Sequence, residues 1–282
     1  MNDSKWTWRA VSLVSILATL LLITGFVYAV GDILNPKGEK LLSSLPQETA
    51  VPTAAASDEY KILALGDSLA KGTGDNSGEG FVRRTLTALS ANEGKAELLG
   101  NMGINGLTTT ALESKLKEEG VQYALRQANV ILISIGGNDL FRGSNIMGTP
   151  ATPKVEGSKP VPTASANDLT PESLLSALPE AAKRLGSILD TVAKINPQAQ
   201  VYYIGLYNPF GDIPELLTPG NQAVTAWNNT AMDMINKHSN MTLVPTFDLF
   251  DRHLDKYLSN DHFHPNGDGY QRMSERIVQA VR

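Results

Sequence analysis

The sequence predicts an α/β domain built on a mainly parallel sheet, preceded by one apolar N-terminal helix and a tether. Three observations carry this. From about residue 60 onward, short apolar runs rich in β-branched residues alternate with helical patterns. The runs are apolar at nearly every position rather than at every second one, as strands covered on both faces require. Residues 10–30 contain no charged side chain.

The apolar stretch comes first. Twenty-one residues at 1.5 Å rise give about 31 Å, enough to cross a hydrocarbon core of roughly 30 Å. Lys5 and Arg9 precede it, so the positive-inside bias keeps residues 1–31 as a short cytoplasmic terminus plus a transmembrane signal-anchor and sends the rest outside. The expected location is the cytoplasmic membrane, single-pass, with the folded domain outside. Val27-Tyr28-Ala29 also fits a signal-peptide cleavage site, which would release the chain after cleavage near Ala29. The apolar run exceeds the 7 to 15 residues of a usual signal core, which favours the anchor. Residues 32–58 carry Pro36, Pro46 and Pro52 among Ser, Thr and Ala, a composition suited to an extracytoplasmic linker.

The domain then occupies residues 59–282. Residues 61–66 (KILALG) and 130–136 (VILISIG) read as buried parallel strands, with 201–205 (VYYIG) and 242–246 (TLVPT) as two more and 97–99 as a weaker fifth. Helical patterns occupy 81–90, 110–119, 171–195, 222–236 and 268–281; Pro171 starts the third and Pro179 is expected to kink it. The stretch 143–169 breaks the alternation with several prolines and small polar residues, and is expected as a flexible surface loop. Strands alternating with helices imply βαβ units with right-handed crossovers. Ligands bind such sheets at the carboxyl ends of the strands, so the residues directly after each apolar run are the ones to read for function.

Composition narrows the options. Net charge is −5, from 24 Lys plus Arg against 29 Asp plus Glu, with no basic block to follow a phosphate backbone; no nucleic-acid partner is expected. There is no cysteine, hence no disulfide, thiolate metal site, thiol nucleophile or lipid-modified cysteine.

Gly66-Asp67-Ser68-Leu69 follows the first strand and places a hydroxyl at a strand-to-helix turn where backbone N–H groups are unpaired. A lone serine there is ordinarily a helix cap, so it needs partners. Asn101-Met102-Gly103-Ile104-Asn105-Gly106 follows the second strand, Gly136-Gly137-Asn138-Asp139 the third, and Asp261-His262-Phe263-His264-Pro265 stands near the C-terminus. Each block alone is an acceptable turn. In this order they resemble the SGNH (GDSL-type) hydrolases, whose blocks are a GDS(L) serine, a glycine, a GxND asparagine and a DxxH pair, and the resemblance covers nearly all of residues 60–282.

That resemblance implies a flavodoxin-like three-layer α/β/α sandwich with strand order 2-1-3-4-5. It also implies a serine ester hydrolase acting by an acyl-enzyme mechanism without metal or organic cofactor. Ser68 would be the nucleophile, His264 the general base and Asp261 its orienting carboxylate. The oxyanion hole would comprise the N–H groups of Ser68 and Gly106 and the amide of Asn138, with Gly103 as the fallback glycine. The substrate would be a small-molecule, lipid or polysaccharide ester, with lipid-type acyl esters ranked ahead of O-acetyl groups on wall polysaccharide; oligomeric state is left open. Asp67 and Asp139 are read as turn-stabilising; His262 would point away from His264 were the segment extended, and a surface or supporting role is expected for it.

Rival readings are weaker. Asp261, His262, His264 and Asp268 supply metal-type ligands within eight residues but lack a recognisable three-ligand scaffold and leave the other blocks unexplained. Residues 66–73 have Lys71 before Gly72, the wrong order for a phosphate loop. A tethered binding protein would not need serine, histidine, aspartate and asparagine together.

Overall fold

A computed structural model describes residues 3–34, 59–92, 94–143 and 174–281. The chain divides into two compact units, Met1–Ala55 and Ala56–Arg282. In the first, α1 (Asp3–Leu34) contains the expected apolar stretch. Its described side chains within residues 11–26 are uncharged and exposed, among them Leu13, Ile16, Leu20 and Phe26. Among the described residues no helix is long and apolar enough to cross a membrane.

The second unit holds one five-stranded parallel sheet, of β1 (Glu59–Gly66), β2 (Lys95–Gly103), β3 (Val130–Ser134), β4 (Gln200–Ile204) and β5 (Met241–Val244), in the order β2-β1-β3-β4-β5. Successive side chains leave a strand on opposite faces. Leu63, Leu65, Ile131, Ile133, Val201 and Tyr203 accordingly join one apolar cluster, and Ile62, Ala64, Val130, Leu132, Tyr202 and Ile204 the other. Two buried faces explain why the central strands show no polar alternation. Each fully buried Leu or Ile contributes about 1.5–3 kcal/mol over leaving it in water.

Helices cover both faces and complete three layers. In chain order they are α2 (Ser68–Lys71), α3 (Gly80–Asn92), α4 (Thr109–Lys115), α5 (Glu119–Gln127), α6 (Gly137–Gly143), α7 (Leu178–Ile195), α8 (Pro214–Ile235), α9 (Phe247–Phe250), α10 (Leu254–Tyr257) and α11 (Gly267–Val281). Phe81, Val82 and Leu89 of α3 pack with Tyr270, Met273 and Ile277 of α11 on one side. Val121 and Leu125 of α5, the Leu185–Val192 stripe of α7 and Val224, Trp227 and Ala231 of α8 fill the other.

The expected fold class and strand order are both present. Several boundaries move for local reasons. Pro179 does not kink a helix; it stands in the first turn of α7, where its missing N–H has no partner to lose. α8 begins eight residues before the expected 222 and continues through Pro219. Its Gly220 lets the Asn208 amide approach, and that amide donates to the Leu216 and Leu217 carbonyls at 3.4 Å each. The pattern read as one helix at 110–119 is two, because α4 ends at Lys115 and α5 starts at Glu119. The weak strand at 97–99 is a nine-residue strand pairing with β1 across a register shift at Ile62/Leu63. Of the expected loop 143–169, Gly143 ends α6; the rest lies outside the described residues, as does the linker beyond Leu34.

One glycine fixes how the sheet meets the site. Gly66 ends β1 at φ +139°, and a Cβ there would stand 1.9 Å from the Ser134 carbonyl oxygen of β3. Only glycine allows this approach, and it brings the chain into the α2 turn with Asp67 N–H donating to that same carbonyl at 2.9 Å. The reversal of strand order lies between β1 and β3, so the carboxyl ends of these two strands border the crevice where such sheets bind ligands.

Candidate active site

Ser68 is the first residue of α2 and is 5% exposed. Asp67 caps the helix by accepting the Leu69 N–H at 3.0 Å, as a turn-stabilising aspartate should. It also accepts the Ser134 hydroxyl at 3.0 Å, and Ser134 Oγ in turn accepts the Ala70 N–H at 3.0 Å. Asn101 Nδ2 donates to the Ala70 carbonyl at 2.7 Å. The serine turn is therefore fastened to the carboxyl ends of β2 and β3. Burial pushes the Asp67 carboxyl up to about 6, against the lowering pull of its Leu69 and Ser134 hydrogen bonds.

The histidine comes from the 258–266 turn. Asp261 Oδ1 accepts the Phe263 N–H at 3.0 Å, the His264 N–H at 2.9 Å and the Ser259 hydroxyl at 2.8 Å. Ser259 N–H donates to the His264 carbonyl at 2.8 Å, and the Tyr207 hydroxyl to the Phe263 carbonyl at 2.7 Å. The segment is thus a tight turn. His262 adopts φ +53°, and its Nδ1 lies 3.8 Å from Asp212 Oδ2 instead of following the alternation of a strand.

The turn delivers His264 between its partners. Its Nδ1 is 2.6 Å from Asp261 Oδ2 and its Nε2 is 2.8 Å from Ser68 Oγ. Burial works to raise the Asp261 carboxyl, but the His264 hydrogen bond, the His264 charge and the two backbone N–H donors outweigh it and hold the group below the usual carboxylate range. An ionised carboxylate has no proton to give, so Nδ1 donates to it and Nε2 is left to accept from the serine hydroxyl.

The three oxyanion candidates come just after the carboxyl ends of β1, β2 and β3. Among the described residues neither the Ser68 nor the Gly106 N–H meets a protein acceptor. Asn138, 4% exposed in α6, donates one amide hydrogen to the Leu107 carbonyl at 2.9 Å and has a second to give. Gly103, the fallback, has its N–H already bound to Asn101 Oδ1 at 3.0 Å and is the last residue of β2. Asp139 is not a local turn residue: it accepts the Thr109 N–H at 2.9 Å and the Thr109 hydroxyl at 2.6 Å, thirty positions away.

Beside Ser68 and Asn138 a small cavity of about 20 Å³ is lined by Phe141, Leu206, Tyr207, Pro209 and Phe263 as well. Phe141, Phe210 and Phe263 pack with ring centroids 5.4, 6.1 and 5.9 Å apart and stiffen its wall. Among the described residues no three His, Asp or Glu side chains are placed to share a metal ion. Ser134, Ser259, Tyr207 and this aromatic wall carry no motif in the sequence. A hydroxyl inside the apolar run VILISIG was the only local signal for any of them.

A doubly covered parallel sheet with a serine, histidine and aspartate in line at its carboxyl edge defines a three-layer α/β hydrolase. The pattern of the GDSL-like Lipase/Acylhydrolase family matches residues 64–272, and the chain belongs to that family of ester hydrolases. It is 30% identical over 226 residues to the uncharacterized protein YpmR of Bacillus subtilis, covering 78% of this chain and 81% of that one. It is 26% identical over 222 residues to the spore germination lipase LipC of Bacillus licheniformis, covering 77% and 94%. The crystal structure of the lipase Lip_vut3 from a goat rumen metagenome superposes with a TM-score of 0.64 at 24% identity, over 78% of this chain and 97% of that one, which is a likeness of fold.

Proposed function

We propose that this chain hydrolyses carboxylic esters through an acyl-enzyme formed on Ser68. The observation that carries the proposal is the unbroken line Asp261 Oδ2–His264 Nδ1 at 2.6 Å and His264 Nε2–Ser68 Oγ at 2.8 Å. In this reading Ser68 Oγ attacks the ester carbonyl as its proton passes to His264 Nε2. The resulting imidazolium is stabilised by Asp261, and the proton then goes to the departing alcohol. Water, deprotonated by the same nitrogen, cleaves the acyl-enzyme and releases the acid. The developing oxyanion takes hydrogen bonds from Ser68 N–H, Gly106 N–H and the free amide hydrogen of Asn138. The acyl group lies in the cavity edged by Phe141, Leu206, Tyr207, Pro209 and Phe263.

Lipid-type acyl esters at the outer face of the cytoplasmic membrane are the substrates we place first. The uncharged stretch at residues 10–30, the apolar exposed side chains of α1 and the likeness to a protein named as a lipase support this. Partition of the full chain into the aqueous phase of a detergent phase separation, with residues 1–31 intact, would remove the membrane part. A second reading, removal of O-acetyl groups from wall polysaccharide, is favoured by the cavity itself: about 20 Å³ holds one or two water-sized groups and suits a short acyl chain.

A p-nitrophenyl ester series from acetyl to palmitoyl, run on the full chain in mild detergent beside Ser68→Ala, tests both. Turnover that vanishes in Ser68→Ala supports the mechanism, and equal rates for the two proteins reject it. An optimum at acetyl supports the second reading, and one at eight or more carbons the first.

A further inference from the structure

The proposed oxyanion donors come from separate parts of the chain, Gly106 ahead of α4 and Asn138 in α6, and they must hold a common oxygen atom within hydrogen-bond distance. A misplacement of about 1 Å in such a constellation can cost on the order of 100-fold in rate. Two sets of contacts control their separation. The first is direct: Asn138 Nδ2 donates to the Leu107 carbonyl at 2.9 Å, one residue beyond Gly106.

The second set starts from the residue after Asn138. Asp139 Oδ2 accepts the Thr109 N–H at 2.9 Å and Asp139 Oδ1 accepts the Thr109 hydroxyl at 2.6 Å. Thr109 is fully buried and Asp139 is 7% exposed. A carboxylate at that depth is stable only when hydrogen-bonded and paired with a cation. Arg184 of α7 supplies the charge: its Nε donates to Thr109 Oγ1 at 2.9 Å and its Nη2 lies 3.7 Å from Asp139 Oδ1. The Thr109 hydroxyl accepts from Arg184 while donating to Asp139, so removing any one member leaves a buried group of the others without its partner. None of the three lines the cavity beside Ser68.

We propose that Arg184 is a positioning residue for ester hydrolysis, acting through Thr109 and Asp139 to fix the Gly106 N–H and the Asn138 amide around the oxyanion. The proposal rests on the assignment of Ser68 and its oxyanion donors made above. Arg184 touches no reacting atom in this scheme; its effect reaches the substrate only through the spacing of the two donors. Binding of the ground-state ester depends little on that spacing, whereas stabilisation of the tetrahedral state depends on it strongly.

The test compares wild type, Arg184→Met, Thr109→Val, Thr109→Ser and Ser68→Ala, each as the full chain, with p-nitrophenyl acetate. kcat and KM are measured together with the affinity for phenylboronic acid, which forms a tetrahedral adduct on a serine oxygen, and with a thermal melt. We expect kcat of Arg184→Met and Thr109→Val to fall about 10- to 100-fold with KM within twofold. Boronate affinity should fall by a similar factor, and Thr109→Ser, which keeps the hydroxyl, should stay within threefold of wild type. Thr109 is buried, so if the valine variant does not fold, Arg184→Met carries the test from its partly exposed site. Arg184→Met with kcat and boronate affinity within threefold of wild type, while Ser68→Ala is inactive, overturns the positioning role alone. So does a loss of kcat that matches the unfolded fraction. A Ser68→Ala protein as active as wild type overturns the underlying reading instead.

Discussion

The replacement of Asp261 by asparagine separates the chemistry of the site from its architecture. The two carboxylate oxygens have different duties: Oδ1 accepts the Phe263 and His264 N–H groups and the Ser259 hydroxyl, whereas Oδ2 meets only His264 Nδ1. An asparagine with its carbonyl in the place of Oδ1 keeps all three bonds that shape the turn. Its NH2 then faces Nδ1, which must accept instead of donate. The ring proton moves to Nε2, opposite Ser68 Oγ, and the base is lost. In a serine triad this change of tautomer costs about 10⁴ in kcat, or roughly 5.5 kcal/mol. Asp261→Ala removes the turn bonds as well and should add about 1–3 kcal/mol of destabilisation. Steady-state turnover of a short p-nitrophenyl ester, read beside a urea titration of each variant, makes the comparison. Asp261→Asn with kcat within tenfold of wild type would refute the assignment of roles, and so would an asparagine variant as destabilised as the alanine one.

Further outcomes follow from the same geometry. Asn138→Ala should lower kcat by about 100- to 1,000-fold with little change in KM, as loss of one oxyanion donor does; a change confined to KM would remove Asn138 from that role. Gly66→Ala has no room for its methyl group, which would stand 1.9 Å from a backbone oxygen at φ +139°, and should destabilise the domain by more than about 3 kcal/mol in denaturant unfolding. Asp67 is an acid raised by burial from 3.8 to about 6, so the folded chain holds its proton at pH values where the unfolded chain has released it. Stability therefore falls as pH rises from about 4 to 6, by on the order of 3 kcal/mol from this group. Asp67→Asn should remove that slope relative to wild type, and parallel stability–pH curves would contradict it.

Much of the candidate site is legible in the sequence because its residues stand directly after apolar runs. Ser68, Asn138 and Gly106 follow β1, β3 and β2, and a parallel sheet sends all its carboxyl ends to one edge. What escaped was whatever depends on partners far along the chain. Asp139 looked like a turn residue because Gly-Gly-Asn-Asp is good turn chemistry; its true partner, Thr109, lies in another element and Arg184 in a third. The direction of His262 is not legible, since a short run carries no sign that the Asp261 carboxylate will accept two N–H groups of its own turn. Pro179, expected to kink a helix, instead stands in the first turn of α7, and α8 starts before the expected 222 and runs on through Pro219.

The sequence by itself determined the layered α/β architecture and the strand order implied by its family likeness, and it singled out the serine, histidine and aspartate that the structure brings within hydrogen-bond distance. These depend on local periodicity and on residues that sit next to strand ends, both of which are written along the chain. Only the tertiary structure decided the hydrogen-bond lengths that join Ser68 to a histidine 196 positions away, the aromatic wall of the cavity beside it, and the Arg184–Thr109–Asp139 contacts. Those contacts arise where separate elements pack side by side, and no spacing within one element encodes which distant side chain will arrive.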